Sequence, residues 1–262
     1  VRGLYVGGSS GECIYQSVQE RKVILENVMA EVGGKLTVIA HVACNNTLDS
    51  QELARHAESL KVDAIAAIPP IYFHLPPYGI AEYWNDISAA APNTDFIIYN
   101  IPQLAGVALT PALLAEMQKN PRVIGVKNSS MPTQDIQMWK DQGGPDFVVM
   151  NGPDEQFVSG LAMGATGGIG GTFAVMPELF LKVWGLFYAG KVAEAAAVQN
   201  DICRIIYKMC SAHGNLYAVV KAILKKHGCD IGSVRKPLPA LIDSDLTVVD
   251  EASAMIDAAI AK

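Results

Sequence analysis

Asp95-Phe-Ile-Ile-Tyr99-Asn-Ile-Pro102 and Arg122-Val-Ile-Gly-Val-Lys127-Asn-Ser-Ser130 are two apolar runs that each end in a residue able to do chemistry. A lysine closing a buried strand is costly to keep charged, so it is either neutralised as an amine nucleophile or paired with a carboxylate. A tyrosine closing another strand supplies a proton donor. If neighbouring parallel strands present both at one end of a sheet, the pair suits imine chemistry on a carbonyl substrate.

Outward from these two runs the chain repeats one rhythm. Short β-rich runs at Gly3–Val6, Leu36–Ala40, Ala64–Ile68, Phe96–Tyr99, Val123–Val126, Phe147–Met150 and Gly167–Ile169 alternate with amphipathic stretches. The latter span Val18–Val32, Asp49–Leu60, Ile80–Ala90, Pro111–Lys119, Pro132–Asp141 and Glu155–Met163. Helix-start chemistry opens several, with Thr47 to Ser50 before one and Thr110-Pro111 placing a cap before a first-turn proline. Connections of this length force parallel strands with right-handed crossovers, as an open doubly wound sheet or a closed barrel. From Pro177 to Ala261 the pattern reads as several helices with no strands between. The expected class is α/β, a (β/α)8 TIM barrel with a C-terminal helical extension. Seven strands are found where a closed barrel needs eight, so the reading expects a barrel without its first strand and helix. Residues 1-175 would form the barrel beginning at the second strand. Residues 176-262 would supply the last barrel helix and the C-terminal helices of the same structural unit.

Composition narrows the function classes. Half of the 262 residues are hydrophobic, enough for a large core, and the formal net charge is -6. No Lys/Arg-rich run gives a footprint for nucleic acid. No apolar run approaches the about 18 residues of a membrane span, and none resembles a signal peptide. The five cysteines (Cys13, Cys44, Cys203, Cys210, Cys229) are scattered, without C-x-x-C or metal-ligand spacing. Reduced thiols in a cytoplasm fit that pattern. The five histidines (His41, His56, His74, His213, His227) lack metal-ligand spacing and read as packing or surface residues.

In a barrel the chemistry sits at the C-terminal strand ends. Those positions here are Gly7-Gly-Ser9-Ser10-Gly-Glu12, Pro69–Phe73, Tyr99-Asn100, Lys127–Ser130, Asn151-Gly152-Pro-Asp154-Glu155 and Gly168–Thr172. The first turn can offer backbone N–H groups and two hydroxyls to a small anion; alternatively Ser9 or Ser10 caps the next helix. The glycine-rich run Gly167–Thr172 is placed to bind phosphate or simply to pack closely. Asp154 and Glu155 either face a ligand or stabilise their own helix start. Among the lysines only Lys127 ends an apolar strand. Moving its pKa from about 10.4 toward about 7 would take about 4 kcal/mol, which burial beside Ile124 and Val126 can supply.

Gly3-Leu-Tyr-Val-Gly-Gly-Ser-Ser-Gly-Glu12, Tyr99-Asn-Ile-Pro102, Gly125-Val-Lys127 and Asn151-Gly-Pro-Asp-Glu155, in that order, resemble the N-acetylneuraminate lyase and dihydrodipicolinate synthase family. The likeness extends through the C-terminal helices and is nearer the lyase branch. It implies that Lys127 forms a Schiff base with pyruvate, that Tyr99 relays the proton, and that Ser9 and Ser10 hold the pyruvate carboxylate. Synthases place an arginine shortly after the Tyr-Asn-x-Pro motif, where this chain has Leu104. The lyase branch is similar in Gly152, Asp154 and Glu155, which there meet a polyhydroxylated sugar, and in Ser129 after the lysine. That branch has a serine in the last glycine-rich turn; here Gly171 stands there, followed by Thr172, so that either a hydrogen bond to the sugar is lost, which keeps other sugar acids open as substrates, or the Thr172 hydroxyl replaces it. Tyr72 is implied to reach a neighbouring subunit's site, its alternative being loop packing. The resemblance further implies a small-molecule substrate, no metal or organic cofactor, and a homo-oligomer, expected as a tetramer. Three readings follow: a sialic acid lyase; another pyruvate-dependent aldolase or synthase; and a non-catalytic barrel that binds a keto acid. The presence of both Lys127 and Tyr99 argues against the last.

Overall fold

The computed structural model describes every residue from Val1 to Lys262. Strands and helices alternate as β1 (Gly3–Val6), α1 (Val18–Val32), β2 (Thr37–His41), α2 (Thr47–Ser59), β3 (Ala64–Ala67) and α3 (Pro77–Ala90). They continue as β4 (Asp95–Asn100), α4 (Pro102–Ala105), α5 (Pro111–Met117), β5 (Val123–Asn128), α6 (Gln134–Gly143), β6 (Val148–Asn151), α7 (Phe157–Ala162) and β7 (Gly167–Gly168). Four helices complete the chain: α8 (Pro177–Tyr188), α9 (Val192–Met209), α10 (Leu216–Lys226) and α11 (Asp245–Ile260).

The seven strands lie side by side in chain order, and the pairs from β1 to β6 are parallel. A doubly wound sheet reverses its strand order at a switch point. This order never reverses, so successive right-handed crossovers lay their helices on one face and curl the sheet. The strands read as nearly continuous apolar runs because both faces are covered: β3 is buried throughout, and β2 and β4 are buried after their first residue.

Local chemistry sets the boundaries. The side chain of Ser17 accepts from the Glu20 amide while Glu20 accepts from the Ser17 amide, a reciprocal cap that starts α1. Thr110 caps α5 ahead of Pro111, as its sequence predicts. The cap of α2 is Asn46, one residue before the start signal expected over Thr47 to Ser50. Two elements differ more. Pro102 opens a single helical turn, α4, where no helix was anticipated. The stretch expected as one helix from Glu155 begins instead with a 3-10 turn over Asp154–Gln156, and α7 follows it.

The chain divides into two compact units, residues 2–152 with 163–167, and residue 1 with 153–162 and 168–262. In the first, Ile65, Phe96, Ile98, Val126 and Val149 are fully buried along the sheet. In the second, α8 and α11 pack on α9, whose Ala195, Ile202, Ile205 and Ile206 are buried. Each large apolar side chain so enclosed contributes about 1.5–3 kcal/mol. No helix is long and apolar enough to cross a membrane.

Candidate active site

Because β4 and β5 are parallel and in register, Tyr99 pairs with Lys127 and Asn100 with Asn128. Side chains alternate across a strand, so Tyr99 and Lys127 share one face and the two asparagines share the other. Lys127 is 6% exposed, and its Nζ lies 3.6 Å from the centroid of the Tyr99 ring and 4.9 Å from that of Tyr5. β5 runs on through Asn128, so the lysine sits inside the last rungs of the ladder rather than at its end. The amine is thereby held on a rigid element.

The turn after β1 delivers Ser9 to the same place. Its Oγ is 3.4 Å from the Tyr99 hydroxyl, a long contact of the sort that tightens when a ligand arrives. Gly7 and Glu12 adopt left-handed conformations (φ 68° and 59°), and the turn closes through amides of Gly11, Glu12 and Cys13. The capping alternative for Ser9 and Ser10 falls away, since Ser17 caps α1. Ser10 is exposed.

Tyr5 and His41 wall this pair. Both rings meet Tyr99 edge to face, at 5.7 and 5.8 Å between centroids. Gly8 lacks the Cβ that would stand 2.8 Å from the Tyr5 ring, which lets the turn lie against it. The Tyr5 hydroxyl is enclosed without a hydrogen-bond partner, and burial, then Tyr99 and Cys13, push it well above the ordinary phenol range. It therefore stays a phenol. His41 Nδ1 donates to the Gly7 carbonyl at 2.8 Å while Nε2 accepts from the Ile68 amide at 3.4 Å, the pattern of a neutral ring. Burial, then the Arg21 guanidinium, depress its pKa well below the usual value. Arg21 is itself buried and donates to the carbonyls of His41 and Ala43 at the end of β2.

Behind the Tyr99–Lys127 pair lies a network that reading the sequence missed. Asn100 Nδ2 donates to Asn128 Oδ1 at 2.8 Å, and Trp139 Nε1 on α6 donates to the same oxygen at 3.0 Å. Asn100 Oδ1 takes the Leu109 amide, and Asn128 Nδ2 donates to Ser130. Both asparagines are buried, so such bonds are needed to offset desolvation. The network ties the ends of β4 and β5 together, and with them Tyr99 and Lys127. The signal available was an asparagine directly after Tyr99 and another directly after Lys127.

Ser129 and Gly152 meet at the ends of β5 and β6. A Cβ on Gly152 would fall 1.9 Å from Ser129 Oγ and 2.8 Å from the Asn128 carbonyl, so only glycine leaves the hydroxyl its place. In the second unit Asp154 is buried, and its Oδ2 accepts from the Thr172 amide at 2.8 Å and the Thr172 hydroxyl at 2.6 Å. A Cβ on Gly170 would meet Asp154 Oδ1 at 1.5 Å, and one on Gly168 would meet the Phe157 ring at 2.7 Å. Close packing thus accounts for these two glycines. Asp154 binds across to Thr172; Glu155 is exposed.

Tyr72 stands apart. It is 87% exposed with φ 86°, a conformation costing a bulky side chain about 1–2 kcal/mol, and it meets Phe73 edge to face. Beside it a cavity of about 570 Å³ is lined by Asn45, Ile71, Tyr72, Phe73, Glu82 and Tyr83, among others.

A parallel, curled sheet here sets a buried amine against a phenol ring, and the Dihydrodipicolinate synthetase family model matches residues 1–255. The chain belongs to that family. It is 69% identical over 257 residues to the N-acetylneuraminate lyase of Mediterraneibacter gnavus, covering 98% of this chain and 82% of that protein. The wild-type Ruminococcus gnavus sialic acid aldolase superposes with a TM-score of 0.98 at 68% identity, over 99% of this chain and 86% of that one. The catalytic lysine mutant of that aldolase gives 0.97 at 68% identity, over 98% and 85%.

Proposed function

We propose that the chain is a Schiff-base carbon-carbon lyase that cleaves N-acetylneuraminate to pyruvate and N-acetylmannosamine on a (β/α) barrel scaffold. The observation that carries it is the Tyr99–Lys127 pair, register partners with the amine against the phenol ring. The relatives named for this activity support it, as does the similar aldolase in which a lysine is the catalytic residue.

In this reading the neutral Lys127 amine attacks the ketone of the open-chain sugar acid. Loss of water leaves a protonated imine, an electron sink one bond from the carbon-carbon bond to be broken. Tyr99 relays the proton of the hydroxyl beyond that bond, taking it as the phenol passes its own proton to the substrate carboxylate, which later returns it to the enamine carbon; the hydroxyl carbon becomes the aldehyde of N-acetylmannosamine, and the bonding pair collapses into an enamine. Protonation of the enamine carbon and hydrolysis of the imine release pyruvate and restore the amine. No metal or organic cofactor takes part.

Ser9 and Ser10, with their backbone amides, hold the pyruvate carboxylate, and Ser9 keeps the Tyr99 hydroxyl oriented. Ser129, Gly152, Asp154, Glu155 and Thr172 serve the hydroxyl-rich remainder of the sugar. For Asp154 and Thr172 the hydrogen bonds between them make one unit of two groups. Tyr72, exposed and held in a strained conformation, reaches a neighbouring subunit in a homotetramer. The five cysteines are all free thiols, in keeping with a cytoplasmic protein.

The test is product analysis. Purified protein given N-acetylneuraminate should release pyruvate and N-acetylmannosamine in equal amounts. Absence of both products, with condensation of pyruvate onto a carboxylate-bearing aldehyde instead, would replace the lyase reading with the synthase one.

A further inference from the structure

We propose that Gln199, on α9, is a positioning residue for the segment that carries Asp154 and Glu155. The inference rests on the reading of that segment as the part that meets the sugar. Gln199 lies in a helix face otherwise lined by Ala195, Ile202, Ile205 and Ile206, and is 4% exposed. A primary amide placed there is unfavourable unless both of its ends are bonded. Both are bonded: beside a long contact from Nε2 to the Cys203 thiol one turn along its own helix, at 3.7 Å, each end reaches the same short stretch of backbone. Nε2 donates to the Asp154 carbonyl at 3.0 Å, and Oε1 accepts from the Val158 amide at 3.0 Å. The Val158 amide belongs to the first turn of α7, where N–H groups have no carbonyl of their own helix to meet. One side chain therefore grips residues 154 and 158, the two ends of the 3-10 turn and its junction with α7.

One helical turn further along the same face, the Cys203 thiol donates to the Glu155 carbonyl at 3.3 Å. Residues four apart on a helix lie above one another, so α9 presents two side chains to consecutive carbonyls, those of Asp154 and Glu155. On the opposite side the Asp154 carboxylate holds the Thr172 amide and hydroxyl. Gln199 thus fixes the backbone from which Asp154 orients the last glycine-rich turn and from which Glu155 projects. Leucine or methionine would fill the same volume in an apolar face. The glutamine is explained by what it bonds.

Two variants separate gripping from packing. Gln199→Met keeps the volume and loses both bonds to the 154–158 backbone; Gln199→Glu keeps an acceptor for the Val158 amide and loses the donor to the Asp154 carbonyl. Hydrogen-deuterium exchange over residues 154–158 and Thr172 reads positioning without any substrate. Faster exchange there is expected in Gln199→Met, and exchange unchanged from wild type would overturn the proposal. With N-acetylneuraminate, both variants should raise KM about tenfold with kcat held within about threefold, the effect of one or two lost hydrogen bonds. Borohydride trapping of pyruvate on Lys127 should proceed at the wild-type rate. A lowered melting temperature with unchanged KM would make Gln199 a merely structural residue and contradict the proposal. A wild-type protein that traps pyruvate but leaves N-acetylneuraminate intact would instead count against the lyase reading, with the exchange data still deciding the role of Gln199.

Discussion

Tyr99 and Lys127 are direct partners in the parallel ladder between β4 and β5, and the lysine Nζ lies 3.6 Å from the centre of the tyrosine ring. The geometry separates two properties of the tyrosine. Its ring covers the amine, and its hydroxyl, 3.4 Å from Ser9 Oγ, is the group able to move a proton. Tyr99→Phe removes only the second. The variant should still form a borohydride-trappable imine while kcat falls about a hundredfold or more, as for loss of a general acid-base group. Near-normal turnover would remove the phenol from the mechanism.

Gly152→Ala should be poorly tolerated for a local reason. The new methyl would stand 1.9 Å from Ser129 Oγ and 2.8 Å from the Asn128 carbonyl, at the ends of two buried strands. Displacement of this kind costs about 1–3 kcal/mol. Thermal melts should show the loss, and KM for the sugar should rise as Ser129 is driven from its place; an unperturbed melt with wild-type KM would contradict the packing described.

The Asp154–Thr172 pair predicts a contrast between two conservative changes. Thr172→Val retains the shape but removes the hydroxyl that donates to Asp154 Oδ2 at 2.6 Å, in surroundings where both residues are buried. It should lower stability by about 1–3 kcal/mol in urea denaturation, the cost of a buried polar group losing a partner, whereas Thr172→Ser should restore most of it. Equal stability in the two variants would show that the hydroxyl is immaterial.

His41 gives the folded protein a dependence on pH. Burial and Arg21 hold its pKa well below the usual value, so the folded protein resists a proton that the unfolded chain accepts from about 6.5 downward. More protons on the unfolded chain means that stability rises with pH in that window. The contribution of neutral His41 is therefore complete above about 6.5 and is lost as pH falls toward the depressed folded value. Urea midpoints between about pH 7.5 and about pH 5.5 should fall more for wild type than for His41→Gln. Parallel losses in the two proteins would place the pH dependence on other groups.

What could be read from the sequence follows from how strongly each feature is written in local pattern. The strands were legible because parallel strands buried on both faces are apolar runs, and Tyr99, Lys127 and Ser9 were legible because chemistry-bearing residues at the ends of such runs are conspicuous. Asn100 and Asn128 were not, since a polar residue after an apolar run looks like the start of a loop; their bond to one another, and that of Trp139 to Asn128, keep them in the ladder. Gln199 was hidden in the same way, as one polar residue within an amphipathic helix. The 3-10 turn over Asp154–Gln156 escaped notice because its backbone is held by Gln199, 45 residues from Asp154 in the chain, a contact that no local window contains.

The most direct test of the account is borohydride reduction in the presence of N-acetylneuraminate, with pyruvate as a parallel arm, followed by intact-mass and peptide analysis. A Schiff-base lyase gives one reduced pyruvate-sized adduct on Lys127 from both compounds, and none in Lys127→Arg despite an intact fold. An adduct on another lysine, or none from either compound, would contradict the Schiff-base mechanism; an adduct from pyruvate alone would contradict cleavage of the sugar.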